Sequence, residues 1–367
     1  MQPAVPLRIG PMLPNRSVER VESLEVSVIL HIFGSTSNSA TMKHTKRSTR
    51  ETCSLYASLK YRWARIKRRY YICMKEPVAL TRLLYRMTFG HDPDLERPQT
   101  YNEKVLWLKL FTDTSLWTLL ADKYRVREYV RQRIGRGGES LLNELYAVWD
   151  SAAEIDLDSL RNSDGERPSS VVLKTNNGCG DVLIVRDIDT ADLSAIRRKM
   201  HRALHRRFGR KTAEYHYLAI RPCILAERLL PGDPIHGGAP VDYKFYCFGG
   251  VPRYCLVCYD RRAAGNVKTG LYDAHTWENL GHYVTGPYQD PEQHVFPRPR
   301  SLKRMLRIAA RLSAGFPTVR VDFYEIDGAP IFGEMTFTSA AGLDTGFTEE
   351  FQRIMGSLVE LPARTEG

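Results

Sequence analysis

The stretch VVLKTNNGCGDVLIVRD, residues 171–187, places a lysine at the end of one apolar run and a glycine-rich loop before the next. A lysine beside the main-chain N–H groups of a glycine-rich loop is suited to holding phosphate oxygens. In the common phosphate-binding loop, however, the lysine follows the glycines and opens a helix. We therefore interpret Lys174 as the end of a strand, and residues 176–180 as a loop that folds over phosphate.

A second group of reactive side chains lies in TVRVDFYEIDGAPIFGEMTFT, residues 318–338. Alternation along a strand puts Arg320 and Asp322 on one face, and Glu334 and Thr336 also share a face. A regular two-residue turn would separate Asp322 from Glu334, whereas a longer connection or a bulge would set them opposite each other. We predict the longer connection or the bulge, with Arg320 opposite Thr336.

Two carboxylates and an arginine on neighbouring strands are costly to bury unless a cation or a phosphate completes the group. Carboxylate oxygens suit Mg²⁺, which keeps several waters and bridges nucleotide phosphates. An ion network among Arg320, Asp322 and Glu334 at a domain surface is equally compatible with this segment. The segment alone does not choose between a metal site and an ion network.

Two further strands carry single charged candidates. Glu227 lies in the apolar run CILAERLLPGD, and such a strand running into a linker offers main-chain groups to a nucleobase edge. The alternative is an exposed glutamate at a strand end. In DYKFYCF, Asp242 and Lys244 share a strand face, where they form either part of a cleft or a surface ion pair.

Periodicity supplies the elements that position these side chains. Helical spacing predicts helices over 55–71, 77–89, 101–111, 121–133 and 301–314, and Thr100 with Glu103 forms a capping box before the third of them. Strands are predicted over 170–174, 181–186, 223–229, 242–249, 252–259, 317–326 and 330–336.

Composition excludes several classes of protein. A chain of 367 residues with 43% hydrophobic side chains buries one large lobed domain or two domains. The net charge is +11, but residues 43–86 alone contain 13 Lys or Arg against two acids, so the remaining chain is neutral in sum. No nucleic-acid partner is therefore expected. Seven scattered cysteines favour a reducing cytoplasm, and the apolar run 25–34 is too short to span a bilayer.

Two segments of the N-terminal region are predicted separately. Residues 1–50 have the composition of a disordered tail or of an over-called start, with Met42 as an alternative first residue. Residues 55–71 form a basic amphipathic helix that either docks on an acidic membrane surface or on a partner, or covers the core with a solvated basic face. Peripheral attachment at the inner membrane face would follow from the first alternative.

Six motifs in one order give a resemblance to a known family, the TupA-like amidoligases of the ATP-grasp superfamily, from about Tyr85 to Phe351. They are TYNEKVLWLKL, ADKYRVREYV, VVLKTNNGCGD, ILAERLL, VDYKFYCFGG and VRVDFYEIDGAPIFGEMTFTSAAG. The resemblance implies an α+β ATP-grasp fold, in which two lobes with antiparallel sheets hold ATP between them after a helical N-terminal region. The domains would be 1–50 (tail), 51–120 (helical region), 121–222 (first lobe) and 223–362 (second lobe with the metal site).

The resemblance also implies roles for individual residues. Those that would contact ATP are Lys123 and Lys174 on the phosphates, Asn177, Gly178 and Gly180 in the flap over them, Glu227 and the backbone of Leu229 at adenine, and Asp242 in the cleft. Asp322, Glu334 and Thr336 would hold Mg²⁺, and Arg320 and Lys244 would act at the reacting groups. The sequence departs from the family at Asn177 and Cys179, where His and Ser are usual, and at Thr336, where Asn is usual.

The activity that the resemblance implies is ATP-dependent ligation of a carboxylate to an amine through an acyl phosphate. The implied substrates are an amino acid and a uronic-acid glycan, in cell-surface polysaccharide biosynthesis. A partner of residues 55–71 would then belong to the polysaccharide-synthesising machinery. Two alternatives remain at this point: a phosphotransferase that uses the same nucleotide site, and a nucleic-acid or membrane-surface binding protein that uses the basic segment 43–86.

Overall fold

A computed structural model describes residues 61–233, 238–259, 267–286, 289–290, 292 and 294–363. The predictions for residues 1–50, for a start at Met42 and for the first part of the 55–71 helix lie outside these residues. The chain divides into two units, Met1–Leu83 with Arg364–Gly367, and Leu84–Ala363. Every candidate site residue belongs to the second unit.

In the first unit, residues 61–74 form helix α1, which covers the described part of the predicted basic helix. Tyr71 is buried, whereas Ile66, which the pattern placed on the apolar face with Trp63, is 56% exposed. Docking of this helix on a membrane or a partner stays a prediction. Within the described residues, no helix is both long enough and apolar enough to span a membrane.

The remaining helices are short and mostly amphipathic. They are α2 (Pro77–Phe89), α3 (Tyr101–Phe111), α4 (Ser115–Ala121), α5 (Val126–Ile134), α6 (Leu193–Leu204), α7 (Tyr215–Leu218), α8 (Leu302–Ser313) and α9 (Glu349–Ser357). Helix α3 begins with the predicted capping box, because the Thr100 hydroxyl accepts from the Glu103 N–H and the Glu103 carboxylate accepts from the Thr100 N–H.

The prediction of one continuous helix over 121–133 is wrong. Helix α4 ends at Ala121, and the Asp122 side chain then accepts hydrogen bonds from the N–H groups of Tyr124 and Arg125, at 2.9 and 3.1 Å. An aspartate that captures main-chain N–H groups in this way favours a new helix start over continuation. The break leaves Lys123 in a turn instead of on a helix face.

The first sheet has four strands, β1 (Leu145–Trp149), β2 (Val171–Thr175), β3 (Val182–Val185) and β4 (Ile224–Glu227). Its order is β1-β4-β2-β3 with antiparallel neighbours. Alternate residues such as Leu173 and Ala226 enter a core with Met200 of α6, so Lys174 and Glu227 take the opposite face. Since β4 belongs here, the sheet extends past the predicted lobe boundary at residues 222 and 223.

The second sheet has five strands, β5 (Asp242–Phe248), β6 (Val251–Tyr259), β7 (Lys268–Asp273), β8 (Thr318–Ile326) and β9 (Ala329–Thr336). Its order is β7-β6-β5-β8-β9, again antiparallel throughout. Buried Met305 and Leu312 of α8 join Phe245 and Val321 in its main core. Two antiparallel sheets with helices confirm the predicted α+β class.

The hairpin of β8 and β9 contains the predicted bulge. Ile326 pairs with Ala329 across a two-residue turn, yet Asp322 pairs with Glu334, so that Gly333 is the extra residue in β9. A Cβ atom at Gly333 would lie 3.1 Å from the Asp322 carbonyl oxygen, which explains why glycine occupies the bulge. Arg320 faces Thr336, as predicted.

Candidate active site

A cavity of about 430 Å³ lies between the polar faces of the two sheets. Nine of the predicted site residues line it: Lys123, Lys174, Gly180, Glu227, Asp242, Lys244, Arg320, Asp322 and Glu334. Four others do not, namely Asn177, Gly178, Leu229 and Thr336. The sequence therefore predicted most of the charged lining, and the roles assigned to individual residues stay predictions.

Asp322 accepts three short hydrogen bonds in the cavity wall. It is 2% exposed and accepts two hydrogen bonds from Arg320, at 2.7 and 2.8 Å. Its Oδ2 also accepts from Lys244 Nζ at 2.6 Å. The bidentate arginine and the lysine together fix the orientation of this carboxylate in the cavity wall.

Glu334 faces Asp322 across the strand pair and is held ionised. Its Oε2 lies 3.3 Å from Lys123 Nζ, and its Oε1 lies 3.4 Å from Arg320 Nη2. Burial raises the pKa of a carboxyl group, but Lys123, Lys244 and Arg320 outweigh it and lower the pKa of Glu334 to about 2. Glu334 is thus an anion throughout the physiological pH range.

Lys244 lies between two carboxylates. Its Nζ is 2.6 Å from Asp322 Oδ2 and 3.5 Å from Asp242 Oδ2. Burial by itself would lower the pKa of this ammonium group, yet the two carboxylates raise it above its usual range. Lys244 therefore stays protonated and suits charge pairing better than proton abstraction.

The four-stranded sheet contributes a second ion pair. Lys174 Nζ lies 2.7 Å from Glu227 Oε2, and the same oxygen accepts from Asn143 Nδ2 at 3.2 Å. Arg127 Nη1 is 3.9 Å from Glu227 Oε1, and burial lowers the pKa of its guanidinium group. Sequence reasoning missed Arg127 and Asn143, since no spacing pattern marks residues that meet Glu227 only through the fold.

The glycine-rich loop is anchored at its start. Asn176 Oδ1 accepts from the Cys223 N–H at 2.8 Å, and its main-chain carbonyl accepts from the Lys123 N–H at 3.2 Å. Lys123 Nζ also donates to the Gly178 carbonyl at 2.6 Å. Cys179 and Gly180 then reach the cavity, and Gly180 has φ +83°, a conformation that favours glycine.

The predicted flap residues behave differently from one another. Asn177 is buried and lies outside the cavity lining, which indicates a structural position in the loop. A Cβ atom at Gly178 would lie 3.1 Å from the ring of Phe208, so glycine is needed there for packing. In this loop, main-chain groups therefore offer the better contacts for a phosphate.

The carboxylates of Asp322 and Glu334 suit a Mg²⁺ ion whose other ligands are nucleotide phosphates and water. Asp322 and Glu334 lie at paired positions on one face, and both are hard oxygen donors. In the described part of the chain, no three His, Cys, Asp or Glu side chains converge on a metal position. Two carboxylates leave the other ligand positions to phosphate oxygens and water. Thr336 donates to Glu334 and accepts from Arg320, at 3.4 and 3.1 Å.

Apolar and aromatic side chains also line the cavity. They are Leu142, Val182, Leu230, Tyr324, Ile331 and Phe332. An apolar wall of this kind suits a planar base, whose edge can bond to main-chain groups. Leu229 is half-buried outside the lining, whereas its neighbour Leu230 forms part of the wall.

Comparison with solved structures finds several ligases at low identity. D-alanine–D-alanine ligase from Helicobacter pylori is 10% identical, with 73% of this chain and 68% of that chain aligned, at a TM-score of 0.39. The corresponding enzyme from Bacillus anthracis is 15% identical at a TM-score of 0.34, and the alignment covers 60% of this chain and only 57% of that enzyme. L-amino acid ligase from Bacillus licheniformis is 14% identical, with coverages of 63% and 44% and a TM-score of 0.33.

No curated protein sequence matches the chain. The family model described as TupA-like ATPgrasp matches residues 103–360, which contain both sheets and every residue of the cavity. The motifs that carry the resemblance, the two antiparallel sheets and the charged cavity between them all agree with this match. The chain therefore belongs to the TupA-like ATP-grasp family.

Proposed function

We propose that the protein is an ATP-dependent carboxylate–amine ligase that forms an amide through an acyl phosphate. The observation that supports this most directly is the convergence of Lys123, Lys174, Lys244 and Arg320 on one cavity with two paired carboxylates. Four cations suit a polyphosphate chain, and paired carboxylates suit the metal that accompanies it.

In the proposed reaction, a carboxylate oxygen of one substrate attacks the γ-phosphorus of ATP, and ADP leaves. The amine of the second substrate then attacks the acyl carbon, its proton is lost to solvent, and inorganic phosphate leaves as the amide forms. Both steps depend on position and on charge neutralisation more than on covalent participation by the protein. Arg320 is suited to the transferring phosphoryl group, since it lies beside Asp322 and Glu334.

Asp322 and Glu334 are the proposed Mg²⁺ ligands. The ion would supply neutralisation of the β- and γ-phosphate charge. Lys244 holds Asp322 in place through its 2.6 Å contact, and Arg320 holds both carboxylates on the cavity side of the sheet. These contacts orient the carboxylates before any ligand arrives, which is what preorganised charge stabilisation requires.

Lys174 is proposed to contact the phosphates below the loop that ends at Gly180. Its ion pair with Glu227 and the contact of Asn143 with the same carboxylate keep the ammonium group at the strand end. Adenine would pack against the apolar part of the lining, which includes Leu230 and Phe332. Glu227 then has two proposed functions, orienting Lys174 and facing the base.

The proposed substrates are an amino acid and a uronic-acid glycan, joined during synthesis of a cell-surface polysaccharide. The family match supports the ATP-grasp part of this proposal, and the glycan comes from the resemblance of the motifs to the TupA-like enzymes. A uronic acid supplies the carboxylate that the reaction consumes, and an amino acid supplies the amine.

The proposal is tested by ADP release from Mg²⁺-ATP with the full chain, across the common amino acids, with and without uronic-acid oligosaccharides. ADP formation that requires both substrates, together with a mass increase of the glycan by one amino-acid residue, is expected. ADP formation with glycan alone and a phosphorylated product would identify a phosphotransferase. If ATP binds but no pair of substrates turns over, the ligase assignment is wrong.

A further inference from the structure

The most basic surface of the second unit is the segment 197–211, which covers the end of α6 and the turns after it. It contains eight Lys or Arg residues, two His residues and no acid. Six of the eight are arginines, whose guanidinium groups bind oxyanions through paired hydrogen bonds. The whole-chain charge does not reveal this surface, because acids elsewhere cancel it in the sum.

The fold turns these charges outward. Ile196, Met200 and Leu204 of α6 are buried in the core of the four-stranded sheet. Consequently Arg198 and Arg202, one helical turn apart, are exposed to solvent. Arg207, in the following turn, is exposed as well, and none of the three arginines has a carboxylate within ion-pair distance among the described residues.

The basic surface adjoins the loop that covers the cavity. Arg206 Nη1 lies 2.9 Å from Asp181 Oδ1, at the end of the glycine-rich loop. The ring of Phe208 packs against Gly178 within the same loop. Between these two contacts, Cys179 and Gly180 line the cavity. A ligand that binds along 197–211 therefore ends beside the entrance to the proposed active site.

We propose that residues 197–211 bind a linear polycarboxylate, the polymeric substrate whose end enters the cavity for ligation. The inference rests on the proposed function, since a ligase of this class consumes a carboxylate. Charge complementarity supports a polyanion, and the contact with the covering loop supports a substrate over an unrelated partner. A monomeric acid would have no use for charges that extend over two helical turns and the segment after them.

A lipid surface fits less well. Helices that lie on membranes combine basic residues with exposed large apolar side chains that enter the lipid. None of the exposed large apolar side chains of the described residues falls between 193 and 214. The one Phe, Tyr or Trp residue of the basic segment, Phe208, packs at 4.9 Å on Tyr217 and lies under Arg206, so it is not presented for stacking on a base.

The test measures binding of fluorescein-labelled polygalacturonate to the full chain by anisotropy, at several salt concentrations. The variant is Arg198→Gln/Arg202→Gln/Arg207→Gln, which avoids every residue of the cavity. The matched control is Arg298→Gln/Lys303→Gln/Arg307→Gln, which removes the same charge from exposed positions in and before α8, on the other sheet.

Polygalacturonate binding is expected to weaken at least about tenfold in the 198/202/207 variant, with a shallower dependence on salt. The control should stay within about twofold of the unmodified chain, since charges further away than a Debye length are screened. In a ligase assay, KM for the polymer should rise while KM for ATP is unchanged. Equal losses in both variants would overturn the proposal.

Competition with DNA and with lipid vesicles tests whether another class of ligand binds this surface. Double-stranded DNA that displaces polygalacturonate at lower charge concentration would make this a nucleic-acid surface. Phosphatidylglycerol vesicles that bind when the polymer does not would make it a lipid surface, and either result overturns the proposal. ATP binding is measured in parallel: polymer binding without any ADP formation refutes the ligase function and leaves the surface, whereas turnover that is unaffected by the variant refutes the surface alone.

Discussion

Two clusters of buried charge in the second unit contain similar residue types but bond them to different partners. In the cavity, Asp322 and Glu334 face Arg320 and the lysines at distances of 2.6 to 3.4 Å. In the other cluster, Lys109 Nζ donates to the carbonyls of Thr212 and Ala341, at 3.0 and 3.1 Å. Its neighbour Glu214 accepts from the hydroxyls of Thr212 and Thr338, both at 2.6 Å.

The pKa shifts of the two clusters have opposite signs. Several cations lower the pKa of Glu334 to about 2 in spite of its burial. Burial instead raises the pKa of Glu214, lowers that of Lys109 to about 8 and lowers that of His216 to about 3. The cavity therefore stabilises charge, whereas the Lys109 cluster disfavours it.

This difference separates a binding site from a structural cluster made of the same residue types. Charges that are stabilised by opposite charges and line a cavity are available to a ligand. Lys109 and Glu214 instead bond to carbonyl and hydroxyl groups outside the cavity lining, and these bonds connect distant segments of the chain. Lys109 links α3 to residues 212 and 341, and so holds the turn after β9, where Ala340 and Ala341 have φ of 46° and 61°.

The largest expected effect lies in the cavity. Asp322→Asn or Arg320→Ala should lower turnover by roughly 10²- to 10³-fold, because each removes a preorganised charge from the reacting phosphoryl group. ADP release measures the loss, and circular dichroism checks that the fold is retained. Glu139→Gln, which breaks the exposed ion pair with Arg131, is the control and should leave turnover unchanged. Full activity in either cavity variant would remove that residue from the mechanism.

Lys109→Met should act on stability instead. The substitution leaves two buried carbonyl groups and Glu214 without their cation, which should lower the free energy of unfolding by about 2 kcal/mol. Urea unfolding measures this change, and KM for ATP should be unaltered. Lys104→Met removes a more exposed lysine from the same helix, whose Nζ donates to the Val359 carbonyl at 2.7 Å, and should cost about half as much. A selective loss of ATP binding in Lys109→Met would contradict the distinction between the clusters.

Glu334 and Glu214 should change the free energy of unfolding in opposite directions as the pH is lowered. Glu334 has a folded pKa of about 2 against 4.5, so its stabilisation is present above pH 4.5 and is lost as pH falls toward 2. Glu214 has a raised pKa, so its contribution is present below pH 4.5 and is lost as pH rises through the folded value. Since Glu334 is partly exposed, its share is about 1 kcal/mol after screening.

Urea unfolding between pH 2.5 and 6 measures these contributions. Glu334→Gln should flatten the loss of stability on acidification, whereas Glu214→Gln should make stability rise more steeply with pH. Identical slopes in the two variants would mean that the clusters do not differ in the way that their contacts indicate.

The smallest expected effect concerns Thr336. Thr336→Asn replaces a hydroxyl with the amide found at this position in related enzymes and offers a better oxygen ligand to Mg²⁺. The Mg²⁺ concentration for half-maximal ADP formation should fall about threefold, which corresponds to less than one hydrogen bond to a charged group. Thr190→Asn, at an exposed position outside the cavity lining, is the control and should leave the Mg²⁺ requirement unchanged. An increased Mg²⁺ requirement in Thr336→Asn would argue that the Arg320 contact of Thr336 matters more than metal binding.

Local signals predicted the parts of the fold that local interactions determine. The capping box at Thr100 and the bulged pairing of Asp322 with Glu334 depend on residues close in sequence. Strand β1 was missed because its five residues are all half-buried, so it has no alternation to detect. The break at Asp122 was missed because an aspartate fits a helical pattern equally well, and only the hydrogen bonds of its side chain show that it holds the turn before the next helix.

Contacts between distant segments could not be predicted in this way. Arg127, Asn143 and Glu227 lie on α5, before β1 and on β4, and meet only when the strands pair. The basic surface at 197–211 was missed for a different reason, since the charge outside residues 43–86 was taken as one sum, and a sum does not record clustering. Charge counted in short windows along the chain detects this segment from its amino-acid sequence alone.

The face on which Glu334 lies depends on the extra residue Gly333 in β9. In a hairpin with the same two-residue turn and no bulge, Glu334 would pair with Val321, on the face opposite Asp322. A change that straightened β9 without altering its length would thus abolish the carboxylate pair while every functional side chain remained encoded. Deletion of Gly333 alone would instead restore regular pairing, with the glutamate still opposite Asp322. Among related chains with this turn, the glutamate should therefore follow either a bulge with its glycine or a strand that is one residue shorter.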